Sequence, residues 1–403
     1  MYDVIVVGAR CAGSPTAMLL ARRGYRVLLV DQASFPSDTV STHHIHRAGL
    51  ATAARWGLLP RLLATGGPRI RRWTFDIGPF ALVGNPLPCD GIDYDLCPRR
   101  TVLDKMLVDA AAAAGVEVRE HFSATGILTE GNTVHGIEGR SQGGTLVREQ
   151  ARMVIGADGR HSRIARLVDA PTYNTRPALS FGYYSYWTGV DLDGVALYPR
   201  EGCGVVAERT NDDLVYVAAA WRRDMFDVVR SDLERTMLAT LDTCAPELAE
   251  RVRLGMRVAP FKGADFPFYF RRPYGPGWAL VGDAGYHRDA ITGQGITDAF
   301  RDADLLAGAI DDAFSGRQDL EDALASYEQR RNAAVMPMFE FTCKLAALDA
   351  PSPADQQLFG ALRHNQYETE RFLSTIAGSV PIPEFFAETN VERIVRMALP
   401  AAA

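Results

Sequence analysis

The sequence predicts an α/β fold: a Rossmann-type domain, an antiparallel-sheet domain and a helical C-terminal region. Three observations predict it. The chain opens with a strand–turn–helix–strand unit over residues 2–31. Residues 171–270 break into short segments in which polar and apolar side chains alternate. After residue 318 the pattern becomes helical and proline-punctuated.

The first strand is the apolar, β-branched run Tyr2–Val7. Gly8 to Gly13 make the turn, Ser14 to Gly24 a helix, and Tyr25 to Val30 a second strand that ends at Asp31. This is a βαβ unit with an acid at the separation expected of a ribose-binding carboxylate. The turn departs from G-x-G-x-x-G at one place. Gly8 and Gly13 hold the first and third positions, and Arg10 holds the second, with Cys11 and Ala12 between. The first glycine makes the turn, and the third lets helix and strand approach. The second leaves room for a pyrophosphate at the helix N-terminus. Arg10 takes some of that room. Its guanidinium either reaches a diphosphate or packs over the turn, and the nucleotide site survives in both cases.

Two similar strand ends lie downstream. Met153–Ile155 runs into Gly156-Ala157-Asp158-Gly159. Trp278–Val281 runs into Gly282-Asp283, and Gly293-Gln294-Gly295-Ile296 then opens a long amphipathic helix. Backbone N–H groups at that helix start favour an anionic or electron-rich group.

In this order the three motifs resemble the FAD-dependent oxidoreductases of the para-hydroxybenzoate hydroxylase fold, the group A flavin monooxygenases, with a glutathione-reductase-like FAD-binding domain. The resemblance spans roughly residues 1–310. It implies that Asp283 holds the ribityl chain or pyrophosphate, and that Gly293–Gly295 faces the pyrimidine edge of the flavin. Asp158 and Gly159 would serve FAD and a transient NAD(P)H. "HRAGL" at 46–50 and "RRTVLDKML" at 99–107 resemble two further family segments, which makes Arg47 a candidate phosphate ligand and Arg100 a flavin contact.

The sequence departs from the family at several positions. Gln32 follows Asp31 where relatives have arginine, and Ala165 stands where the DG motif has arginine. Tyr286 and Ala290 replace the histidine and loop proline after the GD motif. Gly-Ala-Arg-Cys-Ala-Gly marks a variant subgroup. Flavin halogenases of this fold need an early lysine, but lysine occurs only at Lys105, Lys262 and Lys344. Prenyl reductases carry Pro-Cys-Gly after the first unit, and here that region has no cysteine. "EGCGVV" at 201–206 reads as a hairpin turn, so no second nucleotide domain is expected.

The expected FAD-binding domain is discontinuous: 1–72, 97–170 and 271–318. Residues 73–96 and 171–270 form the substrate-binding sheet, and 319–403 the helical tail. The sheet is aromatic, with Tyr184, Tyr186 and Tyr216 among the candidate substrate contacts. "STHHIH" at 41–46 supplies His44, able to polarise or deprotonate a phenol. His287 and Asp289 in the GD loop are the other catalytic candidates. No local spacing matches a zinc site, so no metal is expected.

A chain of 403 residues with net charge −6 can bury a sizeable core, and its spread arginines form no nucleic-acid-binding block. No apolar run is long enough to span a membrane, and the start shows no signal peptide. The six cysteines form no C-x-x-C. A cytoplasmic monomer or homodimer with free thiols is expected. The predicted function is an NAD(P)H-dependent monooxygenase that acts on an apolar, aromatic or polyketide-like small molecule. A flavin dehydrogenase or reductase, and a non-catalytic FAD or ligand binder, are the alternatives.

Overall fold

The computed structural model describes residues 1–398. Five parallel strands form the centre of the first sheet. Their spatial order is Trp278–Leu280, Leu146–Gly156, Tyr2–Val7, Val27–Val30 and Glu117–Arg119. Their apolar runs are continuous because both faces are covered. The helices Gly13–Ala21, Arg100–Ala113 and Gly295–Phe314 supply one face, packing Leu20, Leu107 and Phe300 into a shared core. On the other face Ile5, Leu28 and Val154 meet Phe122, Ile137 and Ile164.

The second sheet is built around the antiparallel strands Ser180–Thr188, Val195–Arg200, Cys203–Arg209 and Val215–Arg222. Residues 201–202 close a hairpin, as the glycine pattern there predicts. Trp73–Asp76 and Ala81–Gly84 extend the sheet at one edge. Helices Leu233–Cys244 and Pro246–Leu254 cover its outer face, where Phe181 and Trp221 pack on Met237 and Leu241.

The tail begins with the long helix Leu320–Ala346. Pro353–Leu362 starts on a capping box between Ser352 and Asp355, and Gln366–Ala377 starts on Asn365. The end of the tail consists of two helices, Ile382–Phe385 and Glu388–Ala398. At the break the Asn390 amide donates to the Phe385 carbonyl (2.6 Å), and Phe385 turns into the core beside Phe372. These helices pack on Trp73, Phe75 and Leu82, so the tail closes against the edge of the second sheet. Among the described residues no helix is long and apolar enough to cross a membrane.

Candidate active site

The loops at the carboxyl ends of Tyr2–Val7, Leu146–Gly156 and Trp278–Leu280 meet at one cavity of about 1130 Å³. Gly8, Asp158 and Gly282 each line it. Such a crevice at the carboxyl ends of parallel strands is where open α/β sheets take ligands. The helices Gly13–Ala21 and Gly295–Phe314 both start without a side-chain cap; at the first, the Ser14 N–H bonds the Arg10 carbonyl and Pro15 has none, whereas the second leaves its first N–H groups for a ligand. A Cβ built on Gly295 would meet no atom within 4 Å, so the second helix opens onto free space. Gly13 lies behind the turn. A Cβ there would sit 1.7 Å from the Gly8 carbonyl oxygen, so its bare backbone allows the close approach of helix and strand.

The three motif acids differ in what they hold. Asp31 accepts the Ala9 N–H (2.7 Å) and the Ala33 N–H (2.8 Å), fixing the turn while facing the cavity beside Gln32. Asp158 accepts the N–H groups of Arg163 and Ile164 and the Ser162 hydroxyl, which caps the following short helix. Asp283 is exposed on the cavity wall, and its carboxylate has no hydrogen bond among the described residues.

Arg10 packs over the turn and is ion-paired. Its guanidinium meets Asp104 on the Arg100–Ala113 helix, and Nη2 donates to Ser37 Oγ (3.1 Å). The other Asp104 oxygen holds Arg100 at 2.9 Å and accepts from the Cys11 thiol. Arg10, Cys11, Ala12 and Arg100 all line the cavity. Asp104 is a member that the motif reading missed. Its only sequence signal is its spacing, one helical turn after Arg100.

Four expectations are corrected. Arg47 is not a phosphate ligand. It is fully buried, donates to both oxygens of Asp95 and to the carbonyls of Pro86 and Leu87, and lies away from the cavity wall. His44 does not reach the cavity. It lies beneath Gly293, with Nδ1 donating to Glu208 at 2.6 Å. The Gln294 side chain turns away, its amide donating to the Ile376 carbonyl of the tail at 2.6 Å, while its backbone stays in the turn between the cavity-lining Gly293 and Gly295. Tyr186 is buried behind Tyr184, with its hydroxyl bonded to His43. In each case a distant partner takes the polar group out of the site.

His44, His46 and Asp95 do come together, with potential ligand atoms within 4.8 Å of one another. Asp95 already accepts four hydrogen bonds, three from Arg47 and one from Trp73. Its lone pairs are taken, which leaves a poor cation ligand. Burial pushes the His44 imidazole down, but Glu208 and Asp95 outweigh it and raise its pKa above the ordinary value. Burial and the neighbouring His44 push His46 down to about 3.

His287 and Asp289 do line the cavity. His287 Nδ1 donates to the Pro267 carbonyl at 2.6 Å, and its ring stacks on Tyr269. Asp289 shapes the loop where the proline is missing. Its Oδ1 caps the turn Ala290–Thr292 by accepting the Ile291 N–H (2.9 Å). Its Oδ2 accepts from Ser180 at the start of the second sheet. Burial raises this carboxyl to about 6.

Tyr184 and Tyr216 also line the cavity, with ring centroids 4.8 Å apart. The far wall comes from the tail: Phe341, Phe359, Phe372, Ile376 and Phe386. Sequence reasoning left open whether the tail closes the cavity. Its apolar helix faces were the only signal. Arg288 was also missed. It lines the cavity beside Asp289, pairs with Asp298, and keeps a buried Nη1 without a partner.

Residues 1–342 match the family model described as FAD binding domain. The chain is 27% identical over 357 residues to a digeranylgeranylglycerophospholipid reductase of Methanothrix thermoacetophila, covering 81% of this chain and 82% of the relative. A myxobacterial chondrochloren halogenase, CndH, superposes with a TM-score of 0.80 at 22% identity, covering 98% of this chain and 96% of that one. PqsL, a probable FAD-dependent monooxygenase from Pseudomonas aeruginosa, gives 0.69 at 23% identity, with 92% and 98% covered. The family match agrees with the three converging loops and the two uncapped helix starts: the chain belongs to the FAD binding domain family and is an FAD-dependent oxidoreductase of the para-hydroxybenzoate hydroxylase fold.

Proposed function

We propose that this chain is an NAD(P)H-dependent monooxygenase that hydroxylates or epoxidises an apolar, aromatic or polyketide-like small molecule. One observation carries the reading. A single cavity runs from the three nucleotide-binding loops to an aromatic chamber, and Asp289 links the loop to the chamber wall through Ser180.

The site fits FAD. Gly8, Ala12, Asp31 and Asp283 would hold the dinucleotide, and the Gly295 helix start would receive the electron-rich ring edge. When bound, FAD supplies electron transfer from NAD(P)H to dioxygen. The chain does the rest. Phe341, Phe359 and Phe372 exclude water and seat an apolar substrate. Tyr184 and Tyr216 offer it an aromatic face. Asp289, with its carboxyl raised to about 6, gives or takes a proton at a substrate hydroxyl. Halogenation fits less well: among the described residues Lys344 is the only cavity-lining lysine, and it pairs with Asp355 at 3.0 Å.

The second reading is a reductase that adds hydrogen without inserting oxygen. The relative of that activity, which matches most of the chain, favours it. Anaerobic mixing with NADH or NADPH, followed by labelled dioxygen and 1-naphthol as an aromatic probe, separates the two. Bleaching of the flavin, then label in the probe, is the expected result. Bleaching without label, together with saturation of a prenyl alcohol double bond, would favour the reductase. A flavin that neither nicotinamide bleaches would overturn both.

A further inference from the structure

We propose that Cys203 and Cys244 form a peroxide-oxidisable thiol pair, a disulfide-forming modification site behind the substrate chamber. Cys203 is the first residue of a hairpin strand, and Cys244 is the last residue of the helix that covers the sheet. Their sulfurs are 3.3 Å apart, and both thiols are free. A disulfide needs about 2.0 Å, so the sulfurs have little more than one ångström to close. Among the described residues no other thiol has a sulfur partner; Cys11, for example, donates to Asp104.

The two thiols are not equivalent. Cys203 is half-buried and Cys244 is buried. The two thiols are hydrogen-bonded to each other, and Arg200 sits across the hairpin from Cys203 while donating to the Cys244 carbonyl. The hydrogen bond to Cys244 and the guanidinium lower the Cys203 thiol below its ordinary value, against the opposing effect of burial. The accessible sulfur is therefore the nucleophile, and the inner one resolves.

The oxidant is hydrogen peroxide. The Cys203 thiolate attacks one oxygen: an S–O bond forms, the O–O bond breaks, and hydroxide leaves to become water. Cys203 is then a sulfenic acid. The Cys244 sulfur attacks it and loses its proton. The S–S bond forms, the S–O bond breaks, and a second water departs. Two thiols are oxidised by two electrons in all, and one peroxide is reduced to two waters.

The position gives the oxidation a consequence. Arg200 and Gly204 flank the hairpin turn and line the cavity. The Gly202 N–H donates to Leu348 (2.8 Å), whose loop also lines it. A disulfide therefore fixes the hairpin and, through Leu348, the lip of the chamber. The oxidation does not depend on which reaction the cavity runs.

The test treats the folded holoprotein with hydrogen peroxide, blocks free thiols, and maps peptides by mass spectrometry. Free thiols are expected to fall from six to four. One peptide pair linked through Cys203 and Cys244 should appear, two hydrogens lighter, and dithiothreitol should release it. Cys244→Ser should leave a sulfenic acid at Cys203 that dimedone traps. Hydrogen exchange at residues 201–204 and 347–350 should slow only in the oxidised wild type. Six free thiols after treatment, or oxidation elsewhere with this pair unlinked, would overturn the proposal. Mapping the wild type decides the matter even if a serine variant does not fold.

Discussion

Arg10 and Asp104 meet as an ion pair that bridges the nucleotide turn and the Arg100–Ala113 helix. The arginine in the second-glycine place is thus anchored sideways by a buried carboxylate, which also holds Arg100. Arg10→Gly should retain FAD, because Asp104 keeps Arg100. Arg10→Glu sets a second carboxylate against Asp104 and should shed FAD. Asp104→Ala strands the buried Arg100 and should cost about 3–5 kcal/mol of stability. Flavin-to-protein absorbance ratios and denaturant unfolding of the three variants are the measurements. Equal flavin content in the Gly and Glu variants would contradict the pairing.

Asp289 makes stability depend on pH in a defined direction. Its folded pKa, about 6, lies above the ordinary carboxyl value of 3.8. The protonated form is the one the fold accepts. Stability from this group is full below the ordinary value and is lost as pH rises through about 6. The loss is on the order of 3 kcal/mol. Asp289→Asn keeps the capping oxygen for Ile291 and removes the titration. Its unfolding free energy, relative to wild type, should rise between pH 4 and pH 7 by roughly this amount. A constant difference across that window would show that the carboxyl is ionised throughout.

His44 and Glu208 are a buried pair below the Gly293 loop. His44 has a raised pKa, so its stabilisation is present below the ordinary imidazole value of 6.5 and fades as pH rises through the elevated one. His44→Ala strands Glu208 and should cost about 3–5 kcal/mol. Adding Glu208→Gln should recover part of that cost, a coupling that a double-mutant cycle measures. Additive effects would mean that the two groups do not interact.

Phe372 links the tail to the sheet edge, with its ring edge-on to Phe75 at 5.3 Å. It also lines the cavity. Phe372→Ala should cost about 3–5 kcal/mol and enlarge the chamber. Bulkier aromatic probes should then gain in kcat/KM over small ones. An unchanged preference would place the substrate away from this wall.

The three nucleotide motifs were legible because each is local: a strand, a turn and a helix start within a few residues. Asp31, Asp158 and Asp283 stand where their motifs put them. Arg47, His44, Gln294 and Tyr186 were misread because what decides them is far away in sequence. Asp95 claims Arg47, Glu208 claims His44, the Ile376 carbonyl claims Gln294, and His43 claims Tyr186. A polar residue next to a motif looks available until its tertiary partner is known. The phenylalanines of the tail were visible only as apolar helix faces, and periodicity does not say which cavity such a face closes.

The Gln294 amide and the Ile376 carbonyl meet at the mouth of the Gly295–Phe314 helix. One hydrogen bond thus makes the tail that walls the cavity a brace for the Gly293–Gly295 loop. A tail grafted from a relative would have to bring a carbonyl to the same spot or leave a buried amide stranded.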